Sequence, residues 1–192
     1  MIKEAFFPTL IYAKDFKLDT DFLAKQIMNW SKEDEGLKKT NVNGWHSKTH
    51  MHTIPVFKPL VDELYQMQRE IYKEEFLARE PRLGNMWANI NYKGSLNRSH
   101  VHANSFFSGA YYIKAPKNSG LLKINDPRPG THFIKPARKD EVPLHLAPEI
   151  HIQPKENRAI MFPSWLEHCV EMSESDDIRI SVSFNFLQDG FQ

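Results

Sequence analysis

The sequence predicts an α+β chain that is mainly β: a sandwich or barrel core with helices packed against its outside. Two observations carry this. The first third holds two stretches whose apolar residues recur at helical spacing. After Leu83 the period changes to alternation, and a series of short strand-like runs follows, divided by turn residues.

The first helix is expected in DTDFLAKQIMNWSKEDEG (19–36). Asp19 or Asp21 can cap it, Phe22, Leu23, Ile27 and Trp30 give the apolar spacing, and Gly36 is a stop signal. The second is expected in PLVDELYQMQREIYKEEFLARE (59–80), where Leu60, Leu64, Met67 and Ile71 form one stripe and Pro81 follows as a terminator. Between them, KTNVNGWHSKTHMHTIP (39–55) is a polar connection with short extended pieces. In NMWANINY (85–92), Met86, Ala88, Ile90 and Tyr92 alternate against Trp87, Asn89 and Asn91, the mark of a strand with two unlike faces. Further strands are expected in FFSGAYYIKAP, GLLKIND, EIHIQP, NRAIMFP and IRISVSFNF, with turns at KNSG, DPRPG and PKEN. DPRPGTHFIKPARKDEVP (126–143) is proline-rich and charged, and is expected to be a long loop or flap. With 192 residues the chain is expected to form one domain, 1–82 supplying a helical flank and leading segments and 83–192 the β core.

Charge and composition exclude several classes. Lysine and arginine nearly balance aspartate and glutamate, leaving +1, so nothing points to nucleic acid or an anionic membrane surface. No run approaches the roughly 18 apolar residues of a transmembrane helix. Cys169 is the single cysteine, and the N-terminal stretch lacks the apolar core of a leader, so a reducing, cytoplasmic setting is expected. The flanking helices could mediate a homodimer.

Three features of the β half combine into chemistry. His100 and His102 in HVH would share one face of a strand, since side chains repeat every second residue. MFPSWLEHCVEM delivers His168 after a strand that ends at Pro163. In IRISVSFNF, Arg179, Ser181, Ser183 and Asn185 make a polar face opposite Ile178, Ile180, Val182, Phe184 and Phe186; by default such a face is solvated. A mononuclear iron site needs about three protein ligands with open positions beside them. A small dicarboxylate cosubstrate needs a fixed cation, which Arg179 with Ser181 would supply.

In the order WANIN, HVHANSFFSGAYYI, LLKINDPRP, AIMFPSWLEHCV and RISVSFNF, over about residues 86–187, the sequence resembles the iron(II)/2-oxoglutarate-dependent oxygenases, in particular a prolyl-hydroxylase-like branch of bacteria and phages. The resemblance implies a double-stranded β-helix (jelly roll, cupin-like) core, with Fe(II) and 2-oxoglutarate as cofactors. It also implies hydroxylation of a substrate coupled to decarboxylation of 2-oxoglutarate to succinate. In the family pattern a His-x-Asp/Glu pair and a distal histidine hold the metal, and an arginine about ten residues further on binds 2-oxoglutarate. Here the distal histidine would be His168 and the arginine Arg179, with Ser181 beside it. The resemblance further points to Tyr112, Asn91 and Asn185 at the cosubstrate. The departure is at the carboxylate, where HVH places His102. Three arrangements stay open: a three-histidine site of His100, His102 and His168; an acidic ligand from elsewhere, with Asp126 the nearest candidate; or water completing the sphere. The substrate, small-molecule or peptidyl, leaves no trace, because the reacting carbon demands no acid or base from the protein. Trp87 and Trp165 are expected in the core or a pocket wall, and Cys169 as a buried thiol turned away from the site. A three-histidine cupin-type dioxygenase without 2-oxoglutarate, or a non-enzymatic jelly-roll binding module, would be the rival readings.

Overall fold

The computed structural model describes every residue except 3, 5, 134, 135, 140, 141 and 189–192. Along the described residues the elements are β1 (Tyr12–Asp15), α1 (Thr20–Glu33), β2 (Asn41–His46), two single-turn 3-10 segments (Met51–Thr53 and Pro55–Phe57), α2 (Lys58–Glu74), β3 (Arg82–His100), β4 (Phe107–Lys114), β5 (Leu122–Asn125), the short α3 (Pro129–Phe133), a 3-10 turn at Leu144–Leu146, β6 (Glu149–Ile152), β7 (Arg158–Pro163), β8 (His168–Val170) and β9 (Arg179–Leu187). The strands form one curled antiparallel sheet in the order β1-β7-β4-β9-β3-β8-β5-β6, with β2 paired to β3. This is the mainly β architecture with flanking helices that the sequence pattern predicts, and the jelly roll that the resemblance implies. No helix among the described residues is long and apolar enough to cross a membrane.

Asp19 caps α1, its carboxylate accepting from the Phe22 N–H at 2.9 Å. The helix stops at Glu33, ahead of Gly36, and the glycine serves a different need. At φ +76°, a β-carbon there would sit 2.7 Å from the His46 carbonyl oxygen and 2.8 Å from the Trp45 ring. Helix α2 buries the expected stripe of Leu60, Leu64, Met67 and Ile71, each such side chain contributing about 1.5–3 kcal/mol. It ends before Pro81 because Phe76 turns into the left-handed region at φ +53°.

One apolar cluster joins both helices to one sheet face, through Met86, Ala88 and Ile90 of β3, Phe107, Tyr111 and Ile113 of β4, and Ile180, Val182, Phe184 and Phe186 of β9. The alternate residues of those strands turn to the concave side. The polar face of β9 is therefore not solvated as its pattern suggested: Arg179, Ser181 and Asn185 are 2%, 4% and 4% exposed. Gly109 of β4 allows its neighbours to close in, since a β-carbon would meet the Ile160 carbonyl oxygen and the Phe184 ring. Gly109→Ala is expected to destabilise the chain by about 1–3 kcal/mol, read as a lower urea midpoint with an unchanged slope.

Strand β3 runs much further than its alternation showed. Asn91 stands opposite Gly44 and Leu96 opposite Val42, so residues 92–95 bulge against Asn43 alone, with Gly94 and Asn43 both at positive φ. The bulge breaks the alternation and leaves Tyr92 45% exposed instead of buried. Beyond it, β3 leaves its pairing with β9 and pairs with β8. The flap expected at 126–143 includes residues 134, 135, 140 and 141, which lie outside the described residues; α3 occupies its first part.

Candidate active site

The end of β3 and the start of β8 bring two histidines from distant segments together. His100 is the last residue of β3, and antiparallel register sets it directly opposite His168, the first residue of β8. His102 lies just past the strand, anchored by its backbone N–H donating to the Ser164 carbonyl at 3.0 Å. One ring nitrogen from each of the three lies within 4.8 Å of the others, a grouping able to hold a metal ion.

Backbone carbonyls fix the tautomer of two of the rings. His100 Nδ1 lies 2.7 Å from the Arg98 carbonyl and His168 Nδ1 lies 2.8 Å from the Leu166 carbonyl. A carbonyl oxygen only accepts, so Nδ1 carries the proton in both and each Nε2 keeps its lone pair. Burial, followed by the neighbouring His168 and His100, pulls the His102 pKa down to about 3. Burial pulls His168 down to about 4, His100 adding to the effect while the Leu166 hydrogen bond opposes it. Both imidazoles are thus unprotonated at neutral pH, the form a metal binds.

A cavity of about 280 Å³ joins the three histidines to Arg179, Ser181, Tyr112 and Asn185. Arg179 is held by the Ser119 and Gly120 carbonyls, each 3.2 Å from Nη1, and by Asn91 Oδ1, 3.3 Å from Nη2. Asn91 faces it across the β3–β9 register. The Arg179 Nε has no partner, and burial lowers the guanidinium pKa. Tyr112 is buried beside this charge, with burial raising its hydroxyl pKa. Asn185 is tied into the wall, accepting from Ser108 at 2.7 Å and donating to Asn85 at 2.7 Å, while Ser108 and Ser164 share a 2.7 Å bond.

Asp126 lies outside the histidine group, its carboxylate engaged by Arg128 at 2.6 Å. Trp87 lines the cavity, but Trp165 is 58% exposed, not packed, because it sits on the turn between β7 and β8. Cys169 is turned away from the cavity as expected, yet it is only partly buried, since it lies opposite Lys123 on a short strand near the sheet edge.

Sequence reasoning passed over further cavity residues. His46 stacks on Trp87 with ring centroids 5.3 Å apart and planes 11° apart, and Trp87 leads on to His102 at 5.9 Å. Asn89 donates to Ser183 at 3.0 Å and leaves its Oδ1 buried without a partner. Lys39 stands at the cavity mouth. The signal for Asn89 was present in the alternation that sets it beside Trp87 and Asn91; β2, which carries His46, is masked by its asparagines and glycine.

Residues 85–185, more than half of the chain, match the model of a family described as "Putative 2OG-Fe(II) oxygenase". The chain belongs to the 2OG-Fe(II) oxygenases. It is an oxygenase whose cofactors are ferrous iron and 2-oxoglutarate. No curated protein sequence matches it. Among solved structures, the oxygenase is similar to a 2OG-Fe(II) oxygenase-family oxidoreductase from Burkholderia pseudomallei (14% identity, TM-score 0.53), with 70% of this chain covered but only 57% of that one. A Pseudomonas putida prolyl-4-hydroxylase matches over 95% of this chain and 94% of its own, at 15% identity and TM-score 0.65. HygX from Streptomyces hygroscopicus, solved with nickel, 2-oxoglutarate and hygromycin B, matches over 96% of this chain and 85% of its own, at 10% identity and TM-score 0.61. At such identities these likenesses speak for the shared fold.

Proposed function

We propose that this oxygenase hydroxylates its substrate at a ferrous ion held by His100, His102 and His168, with 2-oxoglutarate anchored through its distal carboxylate by Arg179. The observation that carries the reading is a buried guanidinium, its Nε without a partner, that lines the same cavity as the three-imidazole group. A charge out of water without a counter-ion costs several kcal/mol, and among the described residues this one is hydrogen-bonded by two backbone carbonyls and the Asn91 amide, with no carboxylate. A carboxylate in the cavity would compensate it.

The donor set suits ferrous iron, which imidazole ligates well, and leaves positions for a bidentate cosubstrate and oxygen. When bound, iron and 2-oxoglutarate supply the oxidising chemistry, in which 2-oxoglutarate becomes succinate and carbon dioxide while one oxygen atom enters a substrate C–H bond. The chain orients and shields. Arg98 and Leu166 carbonyls fix the imidazole tautomers, Arg179 with Asn91 beside it anchors the cosubstrate, and Tyr112 and Ser181, which line the same cavity, are its hydroxyl partners in this reading. Asn185 keeps the polar wall in place.

The test is anaerobic titration with Mn(II) and then 2-oxoglutarate by calorimetry, followed by succinate release with Fe(II) in air. Saturable binding of one metal and one 2-oxoglutarate is expected. His102→Asp should keep the metal and His102→Ala should weaken it; metal binding indifferent to His102→Ala would remove His102 from the ligand set.

A further inference from the structure

The charge of the cavity carries information about the substrate. Among the described residues, no aspartate or glutamate lines it, whereas Arg179 and Lys39 do. The three histidines bring no negative charge to a metal. On the site reading above, the two carboxylates of 2-oxoglutarate leave the cavity positive even before Lys39 is counted. A desolvated excess of one sign favours a ligand of the other.

The size of the cavity says where that ligand lies. At about 280 Å³ it is at the lower limit of the roughly 300–1,000 Å³ that enclose a drug-sized ligand, and it must also admit 2-oxoglutarate. Only a side-chain-sized group can enter beside the cosubstrate. The rest of the substrate has to lie outside.

A second, open hollow of about 690 Å³ adjoins the mouth, and Lys39 lines both. It follows β2 from Asn41 to Trp45, with Lys38, Arg98 and the exposed Tyr92 along it and Glu35 as its acidic lining residue. The Arg98 N–H donates to the Thr40 carbonyl at 2.9 Å, which sets Arg98 beside the lysine segment. None of Lys38, Lys39 and Arg98 forms an ion pair among the described residues. The charge of Lys39 also reaches inward, adding to the burial that lowers the His46 pKa.

We propose that the prime substrate is an acidic peptide segment, laid along β2 with its negative side chains on Lys39, Arg98 and Lys38 while one residue enters the cavity. An open hollow running beside a strand, next to a small reaction chamber, suits a chain that offers one side chain at a time. A long polyanion is disfavoured by a molecule whose charge is only +1 overall.

The inference rests on the site reading of the preceding section, and its test is separable from it. Fluorescein-labelled glutamate-rich, lysine-rich and serine-rich decapeptides are titrated with the full chain, loaded with Mn(II) and 2-oxoglutarate, and followed by anisotropy. Preferential binding of the acidic peptide is expected, weakening as salt is raised. It should weaken at least about tenfold in Lys39→Glu/Arg98→Glu and by less in Lys39→Gln, with thermal unfolding confirming that the variants fold. Equal binding of the three peptides, no binding of any, equal affinity in the charge-reversed chain, or tighter binding of a single-stranded oligonucleotide or of free glutarate would each overturn the proposal. Metal and 2-oxoglutarate binding by the parent, measured apart, reports on the site reading alone.

Discussion

Arg179→Ala is expected to abolish 2-oxoglutarate-dependent succinate formation while leaving metal binding largely intact. The guanidinium is 2% exposed and no carboxylate among the described residues contacts it, so a dicarboxylate in the cavity would form a desolvated charge pair with it. Truncating one partner of such a pair costs about 2–5 kcal/mol, a loss in 2-oxoglutarate affinity of roughly thirtyfold to several thousandfold. Calorimetry with Mn(II) present reads both affinities in one series. Arg179→Lys should recover only part of the loss, because an ammonium lacks the planar two-pronged donor. Arg179→Met separates charge from volume: if it binds 2-oxoglutarate like the parent, Arg179 is not the anchor. If Arg179→Ala unfolds, the methionine and lysine variants still decide the matter.

His168→Ala should lose the metal. It removes one of three imidazoles and the only one contributed by β8, and among the described residues no carboxylate joins the group to replace it. Changes to groups that merely orient a ligand cost about 10–100-fold in metal affinity, so losing a ligand outright should exceed about 100-fold. Equilibrium dialysis against Mn(II) or Co(II) gives the number without turnover, and succinate formation should vanish with it. Retention of the metal at parental affinity would remove His168 from the site.

Much of this was legible because local patterns and global fold agree. The stripe in α2, the alternation of Met86, Ala88 and Ile90, and the polar-apolar alternation of β9 all follow from one side of each element meeting a common apolar cluster. The histidines stood out by the HVH spacing, and Arg179 by a polar face on a strand whose other face is wholly apolar. What stayed hidden depends on long-range pairing. Strands β1 and β8 are four and three residues long, too short to show a period, and exist because β7, β3 and β5 hold them. The continuation of β3 past Tyr92 is obscured by a bulge whose glycine reads as a turn. Nor does alternation say which face of β9 is wet; only the curl of the sheet turns Ser181 and Asn185 inward. His46 and Lys39 join the cavity through β2, whose pairing partner lies about fifty residues on.

The pairing of His100 with His168 sets a timetable for the newborn chain. Sixty-eight positions separate the two, and they face each other only when β3 and β8 have found their register, a late event where non-local pairing limits the folding rate. On the proposed ligand set, a polypeptide still searching for that alignment offers iron only the neighbouring His100 and His102 of the three imidazoles. Oxidising power would then be withheld from immature molecules, and full loading with iron would certify that assembly is complete.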